Sequence, residues 1–181
     1  MRASKMGSGM STNWRITSFN GVLLAAYFIP TWAVIATRIV MSPVRGLYER
    51  PSVSVALYAS DHLQLASMTT VRFAWLLALG RLTVVAFFIL FICLAVRAAI
   101  RKMGSGDEAL AIALGIGSVI SFASMIMASQ VGEIEALRIH ATELLLMLGS
   151  GIVMLCEAPP RPAAAASADL SVQKAQLSYN S

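Results

Sequence analysis

Hydrophobic positions along this chain gather into four long runs separated by short polar breaks. The runs cover residues 18–40, 73–96, 109–128 and 134–156. Each approaches or exceeds the roughly 20 mainly apolar residues that a helix needs to cross a bilayer. Between the breaks there is no alternation of apolar and polar residues of the kind that marks a membrane barrel, which leaves helices as the spanning elements. The pattern predicts an all-α, integral membrane four-helix bundle.

The segments between and around the runs complete the expected organisation. Residues 1–17 read as a flexible leader, within which Met6 and Met10 are alternative starts. The first run is longer than a signal-peptide core and contains Pro30, so it reads as a retained span with a kink. Residues 41–72 form one longer outer loop. It opens with turn punctuation, "SPVRGLYERP", and continues with "SVSVALYASDHLQLASM", too short and polar to cross. That second stretch reads as a surface or partly re-entrant segment packed over the bundle. Residues 157–181, with "APPRP" followed by small and polar residues, read as a disordered tail.

Composition agrees with lipid as the main solvent. Of the 181 residues 57% are hydrophobic and 13% charged, against about 25% charged in soluble domains. The mean hydropathy is +0.73. A net charge of +5 could suggest nucleic acid, but the basic residues are scattered near span ends, with no basic stripe or aromatic interleaving. Nucleic-acid binding is therefore not expected. With the N-terminus inside, the inner segments hold Arg2, Lys5, Arg15, Arg97, Arg101, Lys102, Arg161 and Lys174; the outer ones hold Arg38, Arg45, Arg50, Arg72 and Arg138. This bias places both termini in the cytoplasm, in a membrane of the bacterial inner-membrane type. Cys93 and Cys156 would then lie near the cytoplasmic face as reduced, buried, inert thiols.

Inside the spans, the candidate chemistry is sparse. Arg81 lies eight residues after Phe73, and Glu143 nine after Ile134. At 1.5 Å per residue their depths on these parallel spans are roughly 12 and 13.5 Å. Unpaired charge in hydrocarbon is costly, so an intramembrane Arg81–Glu143 ion pair is expected. His140, one turn from Glu143, belongs to a thin stripe of Ala136, His140, Glu143, Met147 and Ser150. Such a histidine can hydrogen-bond across helices, or bind a cofactor such as haem b. The only other histidine, His62, is in the outer loop, so a bis-histidine haem within this chain would need that loop to fold deep. Asp61, His62, His140 and Glu143 show no metal-site spacing, and "HATE" reverses the Glu-x-x-His order of di-iron bundles. In the third span Ala113, Gly117 and Ser121 recur every four residues, continued by Ser124 and Ala128. With Gly149 and Gly151 of the fourth they form a candidate helix-packing surface.

No Walker loop, zinc-protease, nucleophile-elbow or CxxC motif is present in the sequence. The expected role is a small non-enzymatic accessory, anchoring or assembly subunit, with the bilayer and a membrane protein or a second copy as partners. The rivals are a haem- or quinone-binding redox anchor using His140, and a small transporter or channel using Arg81 and Glu143. Orientation is checked with alkaline phosphatase fusions, active only outside: activity is expected after residue 132 and none after residue 157, and the opposite pair inverts the topology.

Overall fold

A computed structural model describes residues 16–97 and 105–157. Most of the leader, all but the first residue of the tail and most of the inner loop lie outside these residues. The described chain contains six helices: α1 (Ile16–Met41), α2 (Pro43–Leu47), α3 (Val53–Asp61), α4 (Ser67–Val96), α5 (Ser105–Val131) and α6 (Ile134–Glu157). No strand occurs among the described residues. Four of the helices, α1, α4, α5 and α6, are long and apolar enough to cross a membrane, the pattern of a multi-pass membrane protein.

Two boundaries differ from the sequence reading in an informative way. α4 begins six residues before the apolar run, because "SMTTV" dilutes hydropathy without breaking a helix. The Ala66 carbonyl starts it by accepting from the Thr69 and Thr70 amides at 2.8 and 3.1 Å. Its 30 residues span about 45 Å, longer than a hydrocarbon core of about 30 Å. The outer loop, in turn, is largely helical. α2 starts at Pro43, where a missing amide is harmless. α3 turns Ser54, Val55, Ala56 and Ala59 inward.

These short helices fold into the end of the bundle where α1 finishes and α4 begins. Leu47, Val55 and Ala56 pack with Ala36 and Ile39 of α1 and with Ala74 and Ala78 of α4. The small side chains of α4 leave the room that the loop occupies. Farther in, Leu24, Phe28 and Trp32 of α1 meet Val84, Val85, Phe88 and Phe91 of α4, with Leu110, Ala113 and Leu114 of α5 and Met147 of α6. Phe28 stacks on Phe88 at 5.8 Å and sits edge-on to Trp32 at 5.3 Å, the separations that aromatic pairs prefer.

α5 and α6 form a tight hairpin. Gly132, with φ of +78°, ends α5 in the left-handed region. The Glu133 amide then returns to the Ala128 carbonyl at 3.0 Å, closing a Schellman turn. The ribbon of Ala113, Gly117, Ser121, Ser124 and Ala128 is buried. A Cβ on Gly117 would come within 2.6 Å of Met147 Sδ on α6, so any larger residue there must push the buried Met147 side chain aside. Gly149 and Gly151 do not share this surface: nothing lies within 4 Å of where their Cβ atoms would be. Residue 149 falls off the stripe that α6 buries, which repeats through 143, 147 and 150. The thiols differ from expectation too; Cys93 and Cys156 are exposed on outward faces.

α1 and α6 run antiparallel and are joined by polar contacts. At the end of the bundle opposite the short helices the Glu157 carboxylate accepts from the Ile16 and Thr17 amides at 2.9 and 2.8 Å, and from the Thr17 hydroxyl. An anion thus satisfies the orphan donors at the start of α1. Farther in, Asn20 Nδ2 donates to Ser150 Oγ at 2.8 Å.

Overpacking the hairpin tests this account. Gly117→Val is expected to cost about 1–3 kcal/mol in detergent unfolding, whereas Gly115→Val, with open space around it, is expected to be close to neutral. Equal effects at both positions would refute the close contact with Met147.

Candidate functional site

The residues that α6 buries are Ala136, His140, Glu143, Met147 and Ser150, the stripe read from the sequence. Its focus is Glu143, 6% exposed. Trp32 of α1 donates its indole N–H to Glu143 Oε1 at 2.9 Å. Oε2 is 3.0 Å from His140 Nδ1 and receives a longer contact, 3.4 Å, from the Ser121 hydroxyl of α5. Three of the four long helices therefore reach one carboxylate. Trp32 is nine residues from the end of α1, Glu143 nine from the start of α6 and Ser121 ten from the end of α5. This places the cluster roughly 13–15 Å from those helix ends.

Arg81 is equally enclosed, 2% exposed, but it does not meet Glu143 as the sequence reading expects. Among the described residues no direct salt bridge joins them. Nη1 of Arg81 donates to Ser52 Oγ at 2.9 Å, and Nη2 makes a long contact, 3.4 Å, with the Pro51 carbonyl. Its Cζ lies 5.8 Å from the centre of the Trp32 ring, within cation–π range. The reason is what stands beside each charge. The Trp32 ring lies under the guanidinium and donates its N–H to Glu143, while the arginine head reaches to the segment before α3.

Arginine is a cation, so an ionised Glu143 with a neutral His140 makes a neutral cluster. Because that carboxylate can only accept, Nδ1–H of a neutral His140 donates to it across the 3.0 Å contact, which leaves Nε2 as an acceptor. A histidine whose one nitrogen is fixed by a carboxylate has the orientation seen in metal-ligating histidines. At 1% exposure, however, His140 is enclosed by the chain's own helices. A haem shared with another subunit would have to displace that packing. His62 stays exposed in the outer loop, stacked on Tyr58 at 4.9 Å, so the loop does not carry it to His140. Among the described residues no group of three or more His, Cys, Asp or Glu is placed to hold a metal ion.

Trp32 and Ser52 are the participants that sequence reasoning missed. For Trp32 a signal existed: tryptophan in membrane proteins favours the interface, yet this one lies nine residues inside its span. Ser52 carried no signal, since nothing in "PSVSV" shows that the loop turns inward. No protein-family model, curated protein or solved structure matches this chain.

The geometry fixes an order of effects. Trp32→Phe keeps the ring and removes the donor, and is expected to cost about 1–3 kcal/mol of stability. Arg81→Leu and Glu143→Leu are each expected to cost more, and the double replacement to recover part of the loss. Unfolding of the three single variants and the double in one detergent checks this. Strict additivity of Arg81→Leu and Glu143→Leu would show the two charges to be uncoupled.

Proposed function

We propose that the protein is a non-enzymatic accessory, anchoring or assembly subunit of a larger complex in a bacterial inner membrane. One observation carries this reading: two outward glycines on neighbouring spans have no neighbour against them among the described residues. Gly115 of α5 and Gly149 of α6 are exposed, with nothing within 4 Å of a Cβ position. They sit ten residues from the inner end of α5 and eight from that of α6, at nearly the same depth of about 12–15 Å. A mid-helix glycine costs roughly 0.5–1 kcal/mol relative to alanine, and here no internal contact offsets that. Small residues offset such a cost where a second helix approaches closely. Trp32, Ser121 and His140, meanwhile, turn their polar groups to Glu143 inside the bundle.

A photocrosslinking amino acid at position 149, compared with one at the exposed position Leu90 of α4, tests the proposal. The expected outcome is a discrete adduct from 149, identified by mass spectrometry as a membrane protein and lost when Gly115→Leu is added. Adducts to lipid alone at both positions would sink it.

The second reading is a proton or ion path, favoured by three ionisable side chains, Arg81, His140 and Glu143, in one buried cluster. It requires flux in liposomes that falls in Glu143→Gln; equal flux would remove it.

A further inference from the structure

Among the described residues, three buried side-chain polar atoms have no hydrogen-bond partner: Ser54 Oγ, Arg81 Nε and His140 Nε2. Their positions are related. Ser54 stands two residues from Ser52, which receives Arg81 Nη1 at 2.9 Å. Arg81 in turn lies over the Trp32 ring, whose N–H reaches Glu143, and Glu143 holds His140 by Nδ1. His140 is also one turn nearer than Glu143 to the outer end of α6, where the loop helices seat.

The unmet requirements are complementary. Arg81 Nε–H only donates, His140 Nε2 in the neutral cluster only accepts, and the Ser54 hydroxyl does either. A buried donor or acceptor without a partner is expensive, and buried sites of this kind are met by internal water making two to four hydrogen bonds.

We infer that the underside of the outer loop is a hydrated site, in which internal water is held by Ser54 Oγ, Arg81 Nε and His140 Nε2. Water there donates to the histidine and accepts from the arginine. The loop is then the roof of a small water-binding chamber within the membrane span. This inference is independent of the partner proposed above, and a single-subunit measurement tests it.

The chain has only two histidines, so nitrogen-15 labelling of histidine in lipid bilayers gives two separable side-chain signals. His62, exposed in the loop, is the internal reference for contact with water. The expected result is an unprotonated Nε2 on His140 that receives magnetisation from water, and whose water signal weakens in Ser54→Ala but not in Ser60→Ala. A dry His140 beside a wet His62, a His140 protonated at Nε2, or a water signal indifferent to Ser54→Ala would overturn the inference. The unsubstituted protein answers the first two points without any variant having to fold.

Discussion

A single carboxylate organises this bundle. In lipid, apolar side chains gain little by leaving the solvent for one another, so packing and hydrogen bonds must choose which helix faces meet. Glu143 does so by needing donors, since an unsatisfied carboxylate in hydrocarbon is far costlier than the helix contacts around it. It takes them from α1, α5 and its own helix. The aromatic layer of Phe28, Trp32 and Phe88 shields the contact, and low local polarity strengthens each bond within it.

The cation of the cluster explains the shape of the outer loop. A guanidinium cannot shed its charge, and a leucine-lined site would not hold it. The chain meets this by bringing a peptide carbonyl and a serine hydroxyl down to Arg81, and small alanines on α4 make room for the segment that brings them. Irregular backbone at such depth is tolerated only where protein covers it, and the apolar face of α3 provides that cover. Surface pairs such as Arg38–Glu49, at 2.8 Å and well exposed, add little by comparison.

Periodicity made the spans and the buried face of α6 legible, because lipid imposes length and a helix imposes spacing. It also made Ala113, Gly117 and Ser121 legible as a close-packing line. What it did not convey was which side chain from a third helix comes between two others. Depth arithmetic on two helices matched Arg81 to Glu143, yet α1 brings an indole into contact with both. The glycines of α6 show the same gap: a small residue is a packing signal only if it faces a neighbour, and residue 149 does not face one in this chain. The loop was the least legible part, since its apolar face fits an interface as well as a bundle.

The contacts between the first and last spans bear on the order in which the molecule is made. Trp32 finds Glu143 across 111 residues of sequence, and the amide of Thr17 finds Glu157 across 140. During synthesis α1 is therefore in the bilayer long before either partner exists. Its indole and its first amides must be served by lipid headgroups, water or a resident helper until α6 arrives. A chain stopped before residue 143 would hold Trp32 and Arg81 without the carboxylate that the indole serves in the finished bundle.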